Sequence, residues 1–293
     1  MDDLRLEVRF FKAPADLGPC FTTFYRLTVT LPEGVTVTDQ LHPEWANLRF
    51  FTGPGPETMP ALGPKLDRTR FTATGPSSRP IGFAIGATRM WGIGLLPLGW
   101  ARYVGVPAHE HADRAVDGEA SPVFRAFSSL ARVLCSGAGD DDSDFAAAVA
   151  WFRSHAVVTP DDAKICAIHE ALVDPDVVEV SELSERAGLG KRTLERACLK
   201  HFGFPPQMLL RRQRLMRSLA GYMVGPADTW TNAIDCHYHD QAHFVREFQA
   251  FMGCTPGDYA RRPHPVLAAF MAERQRIMGS AVHTLDVPSV PIA

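Results

Sequence analysis

The chain has 293 residues, 46% of them hydrophobic and 22% charged, with a formal net charge of −3. That length accommodates two domains with their own cores. No apolar run approaches the roughly 18 residues a membrane helix needs, and the opening MDDLRLEVRF is too charged for a signal peptide, so a cytoplasmic protein without membrane contact is expected. The six cysteines (Cys20, Cys135, Cys166, Cys198, Cys236 and Cys254) form no CxxC, which points to reduced thiols and away from a disulfide framework or a zinc knuckle.

In chain order, the stretch up to about Ala115 is rich in Gly, Pro and short β-prone runs: FTTFYRLTVT, NLRFFTG, TRFTATG and PIGFAIG. Such runs, bounded by turn residues, predict a β-rich domain. TRMWGIGLLPLGWARYVGVP then reads as a strand near Trp91 to Leu96 followed by a short helix around Gly99 to Val104, stopped by Pro107. Phe83, Trp91, Trp100 and Tyr103 either line a pocket for a small apolar effector or serve as plain core.

From Ser121, SPVFRAFSSLARVLC, DSDFAAAVAWFRSHA and TPDDAKICAIHEALVD each read as a helix with an N-terminal Ser, Asp or Thr cap, together a helical connector. The intervening GAGDDDS (137–143) is a turn whose acids suit the following helix N-terminus; it lacks the spacing and closing Glu of a calcium loop. The apolar faces around Phe124, Phe127, Leu130 and Trp151 exceed what a solvated linker needs and suggest a homodimer surface.

Two helix-turn-helix patterns follow. VSELSERAGLGKRTLERACLKHFG runs a helix through Ala187, breaks at Gly188 to Gly190, and restarts at Lys191 with Leu194, Ala197 and Cys198 on one face. TWTNAIDCHYHDQAHFVREFQAFMG repeats the plan, with Ile234 before the turn and Phe244, Phe248 and Phe251 after it. A connecting helix from about Pro206 to Tyr222 would set the two readers about one DNA turn apart. Past Arg262, PHPVLAAFMAERQRIMG predicts one more helix, and SAVHTLDVPSVPIA a frayed tail.

The fold class expected is therefore multidomain α+β: a β-rich sensor or oligomerisation domain (1–117), a helical connector (118–177), an all-α domain with two helix-turn-helix motifs (178–262), and a C-terminal helix and tail (263–293).

Charge follows this division. Residues 181–262 hold 12 Lys and Arg against 8 Asp and Glu, whereas residues 1–180 hold 16 against 23; within 181–217 the count is 9 to 3. Basic charge concentrated on the helical motifs is what phosphate contact requires. With Leu183, Leu189 and Leu194 holding the first pair of helices together, Arg192, Glu195, Arg196 and Lys200 fall on the opposite face, where Arg can bridge guanine O6 and N7 and Glu can accept from cytosine N4. In the second motif Gln241, Ala242 and His243 open the recognition helix. Gln241 can pair with adenine, and Arg246 reaches phosphate. His243 is either a DNA contact or a structural donor within the turn, with Glu247 four residues on as its partner.

Residues from about Val178 to Arg262 resemble the double helix-turn-helix domain of the AraC/XylS family of transcriptional regulators. The resemblance rests on Tyr238, Asp240, Gln241, His243, Phe244, Arg246, Phe248, Gly253, Thr255 and Pro256 in the second motif. In the first it rests on Leu183, Ala187, Gly188, Leu189, Arg192, Leu194, Arg196, Gly203 and Pro206. Arg214 falls where the family's connecting helix carries a basic residue. The chain departs from the pattern at His237, where a positive-φ Gly is usual, at Gly190, where a hydroxyl cap is usual, and at Cys198, where a larger apolar residue is usual. Less specifically, RPIGFAIG, WGIGLLPLGWARYVGVP and Asp113 to Asp117 resemble the sensor domain of one AraC-like subgroup.

Catalytic and metal chemistry find little support. Cys236, His237, His239 and His243, and separately His109 and His111, lack known zinc spacing, and GxSxG, P-loop and HExxH motifs do not occur. The sequence thus predicts a transcription regulator, not an enzyme, without cofactor or metal. It would bind specific double-stranded DNA as a homodimer, with RNA polymerase and a small-molecule effector as further partners. The alternative is a small-molecule-binding or enzymatic N-terminal module with secondary DNA binding.

Overall fold

A computed structural model describes residues 4–224 and 230–286. Among the described residues nine strands occupy the N-terminal part: β1 (Arg5–Phe11), β2 (Phe21–Thr30), β3 (Val37–Leu41), β4 (Ala46–Phe51), β5 (Glu57–Met59), β6 (Phe71–Thr74), β7 (Ile81–Ile85), β8 (Thr88–Leu95) and β9 (Ala115–Asp117). They form a six-stranded sheet, ordered β1-β2-β8-β4-β6-β9, and a three-stranded sheet, β3-β7-β5, with antiparallel pairing throughout both. The predicted β-prone runs coincide with β2, β4, β6 and β7, because each alternates or concentrates β-branched and aromatic residues between turn formers.

Strand alternation divides the larger sheet's faces. On β4 and β6, Leu48, Phe50, Phe71 and Ala73 point into the main core, while Asn47, Arg49, Thr72 and Thr74 point to the interior between the sheets. After β8 the chain turns through α1 (Pro97–Gly99) into a π-helical segment, Trp100–Val104. Gly105 at φ 75° ends this segment, two residues before the expected stop at Pro107. A positive φ is available to Gly without a Cβ penalty, so it closes the helix first.

The connector comprises a 3-10 turn (Pro122–Phe127) running into α2 (Ser128–Leu134), then α3 (Asp141–His155) and α4 (Asp162–Val173). None of the three expected caps acts as one: the helix expected from Asp142 starts at Asp141 and is capped by Asp140, which accepts from Ser143 N at 2.8 Å. Ser121 makes no cap bond, and the Thr159 hydroxyl donates to Asp162 instead. The expected dimer face is a correction. Phe124, Phe127 and Leu130 are buried in the chain's own core, and Trp151 stacks on Phe127 with its indole N–H donated to Ser129. These apolar faces cover the six-stranded sheet.

The rest is helical: α5 (Val180–Arg186), α6 (Lys191–Ala197), α7 (Pro206–Val224), α8 (Gln241–Met252), α9 (Pro256–Arg261) and α10 (Pro265–Met278). The main core is continuous from Phe11 to Leu210, through the sheet, the connector and the first helical pair. A second core joins the later part of α7 to α8, α9 and α10. The expected helix past Arg262 is α10, and it folds back on the β domain: Asp39 of β3 accepts from Val266 N and Leu267 N at 2.9 Å each, and Phe270 packs against Phe10 and Tyr25. The tail is not frayed where it is described. Ala281 and Val282 are buried, and Thr284 O accepts from Gln213 at 2.6 Å; residues 287–293 lie outside the described residues.

Candidate nucleic-acid interface

The first helical pair follows the expected plan. A capping box opens α5, with Glu182 accepting from Val178 N and Glu179 N at 2.8 and 2.9 Å. Gly188, at φ 63°, turns the chain; a Cβ there would meet nothing within 4 Å, so the requirement for glycine is torsional. Gly190 precedes α6 in an extended conformation without a side-chain cap, as its lack of a hydroxyl predicts. Leu183, Leu194, Ala197 and Cys198 are buried, the small Cys198 fitting at 0% exposure. Arg192, Glu195 and Arg196 are exposed on the outer face of α6.

Lys200 is set apart from them. It lies on a π-helical turn, Cys198–Phe202, with its ammonium 2.9 Å from Asp161 of the connector. Lys164, Lys200 and His201 together hold the Asp161 carboxyl well below the usual carboxylate range.

The second unit differs from the first. The described chain leading into it forms only a 3-10 turn, Trp230–Asn232, where the sequence suggested a repeat of the first helix; residues 225–229 lie outside the described residues. Asp235 then takes over the local hydrogen bonding, accepting from His237 N at 2.9 Å and from Arg217, a side-chain competition that ends helices. His237 does not adopt the positive φ usual for glycine at this position: among described non-glycine residues only Arg68 and Asp113 have positive φ. The Asp235 carboxylate secures the turn that glycine would otherwise make.

Asp240 caps α8 by accepting from His243 N at 2.6 Å. Gln241, Ala242 and Arg246 are exposed, and Phe244, Phe248 and Phe251 are buried as their spacing predicts. His243 is half-buried, its Nε2 3.7 Å from the Glu247 carboxylate and its ring stacked on His239. Glu247 itself is buried and organises the unit. It accepts from Arg211 (3.0 Å) and Arg214 (3.0 Å) of α7 and from the Tyr238 hydroxyl (3.0 Å), while Arg214 lies 4.8 Å over the Tyr238 ring. Burial pushes the Tyr238 hydroxyl pKa up, so it stays protonated as a donor.

Composition overstated the positive field on α7. Arg212 is fully buried, stacked 3.9 Å over Trp45 and donating to Ser77 O, while Arg214 and Arg217 face Glu247 and Asp235. What remains toward solvent borders a cleft of about 1260 Å³ between the two units, edged by Lys191 at the start of α6, Arg211 of α7 and Arg246 of α8. The cleft is thus bordered by the first residue of α6 and by His243, Arg246 and Glu247 of α8. Beside it, Asp235, Cys236 and His237 bring ligand-type atoms within 4.8 Å of one another, though Arg217 and His237 already engage the carboxylate. All six cysteines are free, and no helix among the described residues is long and apolar enough to cross a membrane.

Two helical units are joined here by one long helix, and residues 183–262 match the family described as "Helix-turn-helix domain". Among curated proteins the chain is similar to one named as an HTH-type transcriptional regulator, YkgA of Escherichia coli (strain K12), at 22% identity over 119 residues. The match covers 39% of this chain and 49%, about half, of that relative. Among solved structures it is similar to ToxT from Vibrio cholerae O395 bound to (E)-4-(8-methylnaphthalen-1-yl)but-3-enoic acid (TM-score 0.43, 10% identity, 88% of this chain and 98% of that one). It is also similar to the AraC-like transcriptional activator CuxR (TM-score 0.32, 10% identity, 75% and 83%).

Proposed function

We propose that the protein is a transcription regulator that binds specific double-stranded DNA through α6 and α8. One observation carries the reading: α6 and α8, each with an exposed polar face, border a single cleft, with α8 held to the connecting helix by the buried Glu247 network and α6 packed through Leu194 and Ala197 into the main core. On α6, Arg192, Glu195 and Arg196 are the base readers; on α8, Gln241 and Ala242 read and Arg246 holds phosphate. Lys200 and His243 act structurally, through Asp161 and Glu247. Selection from a random duplex library with the full chain tests this. The expected product is one motif with two half-sites about 10 base pairs apart, and an unselected pool contradicts the proposal.

The reading extends to modulation by a small molecule, favoured by a cavity of about 100 Å³ between the two sheets, walled on its far side by α7 and α10. A ligand there touches Met216 of the connecting helix. It also places the protein in the cytoplasm with its DNA, in contact with RNA polymerase. Homodimerisation would use surface other than the buried connector faces; Val133, Val157 and Val158 are exposed there.

A further inference from the structure

The inner face of the larger sheet is polar, although it is buried. Asn47, Arg49, Thr72 and Thr74 are each less than a tenth exposed and line the cavity, whereas sandwich interiors are ordinarily filled by apolar side chains. The opposite wall is apolar, built from Ile81 and Phe83 of β7, Phe270 and Met271 of α10, and Val282.

The charges in this wall are already closed. Arg49 sits 2.6 Å from Glu44, both buried, and its remaining nitrogens donate to Tyr25 and Thr74 at 3.3 Å. His42 is bonded to the Tyr259 hydroxyl at 2.6 Å. An entering carboxylate would find no unpaired cation, and an ammonium no unpaired anion. Asn47 is different: its Oδ1 is buried without a hydrogen-bond partner. A hydroxyl, which both donates and accepts, satisfies a carboxamide in either orientation.

We infer that this cavity takes a compact, uncharged, largely apolar molecule carrying a hydroxyl, held at Asn47, and that it rejects carboxylates and amines; the inference rests on the effector reading above. The volume sets the size. A cavity of roughly 150 Å³ holds the six non-hydrogen atoms of benzene, so about 100 Å³ suits on the order of four as it stands, and a guest of six requires the wall to give. Met90, Met216 and Met271 in the wall are unbranched and can adjust around the guest.

Saturation-transfer NMR on the full chain tests this with 1-pentanol, pentanoate, pentylammonium and 1-chlorobutane. 1-Pentanol should bind, and the two ions should bind weaker by roughly a hundredfold because each would bury an uncompensated charge. Asn47→Leu, checked for an unchanged melting temperature, should weaken 1-pentanol about tenfold and leave 1-chlorobutane unchanged. Pentanoate equal to 1-pentanol, an Asn47→Leu effect shared by both neutral probes or felt by neither, or no binding by any probe would overturn the inference. Operator affinity measured alongside separates the two readings. If 1-pentanol binds as expected without changing it, the ligand class stands and the effector reading fails; if pentanoate binds and changes it, the reverse holds.

Discussion

The guanidinium of Arg214 on α7 lies 3.0 Å from the buried carboxylate of Glu247 on α8, an ion pair that fixes the second recognition helix to the connecting helix. Glu247 also holds Arg211 and the Tyr238 hydroxyl, so three side chains, two from α7 and one from the turn before α8, share one acceptor group. Burial opposes the Arg214 charge, but the hydrogen bond and charge of Glu247 hold its pKa above the ordinary value.

Glu247→Gln keeps the shape and removes the charge. It should destabilise the protein by about 3 kcal/mol, the low end for breaking a buried pair, since Arg211 keeps access to water. Urea unfolding measures this. DNA affinity should fall with it, even though Glu247 faces the protein interior.

On DNA, Arg192→Ala or Arg196→Ala should each weaken binding to the selected site by about 1–3 kcal/mol and relax sequence preference at one position. Arg246→Ala should weaken all sequences alike and reduce the slope of log affinity against log salt by about 1. Titrations at several salt concentrations separate the two behaviours.

His169 is fully buried in the joint where Trp45 of the β domain meets Phe202, and burial, then the nearby Arg212 charge, push its pKa down to about 3. The folded protein therefore keeps the imidazole neutral while the unfolded chain protonates it near pH 6.5. The unfolded state binds more protons over that interval, so stability is full above about pH 6.5 and falls by about 1.4 kcal/mol per unit as pH drops below it. Denaturant midpoints between pH 7 and pH 5, before most carboxylates titrate, should show the loss in the wild type and a flatter profile in His169→Gln.

Asp39→Ala removes the acceptor at the N-terminus of α10 and should cost about 1–2 kcal/mol, the range of a lost helix cap. Because this bond ties α10 to the β domain, limited proteolysis should cut near Arg261 and Arg262 faster in the variant.

Much of this arrangement was legible in the sequence. Gly188 marked the first turn, and the spacing of Phe244, Phe248 and Phe251 marked the buried face of α8, because backbone torsion and helical periodicity are local properties. What was hidden depends on distant partners. The positive charge of Arg212 was read as surface field, yet it is stacked on Trp45; Phe124 and Phe127 were read as a dimer face, yet they cover a sheet formed by residues far earlier in the chain. The cavity was legible only in part: of Phe83, Trp91, Trp100 and Tyr103, Phe83 lines it and the other three are core, and its polar wall was hidden for a related reason. Alternating polar residues such as Asn47 and Arg49, or Thr72 and Thr74, have the pattern of a solvated sheet face, and only the second sheet and α10 bury them.

Reading through α6 and α8 requires one protomer to span two adjacent major-groove segments with a fixed spacing. The connecting helix α7 has 19 residues and spans about 28 Å; with the reader bodies at its ends it suits a separation of one DNA turn, about 34 Å. Inserting five base pairs, about half a turn, between the half-sites rotates one of them to the far side of the duplex. Affinity should then fall to that of a single motif, matching the loss caused by replacing Gln241 and Arg246 together. Undiminished binding to the lengthened site, with binding still abolished by those two substitutions, would contradict the rigid two-groove arrangement.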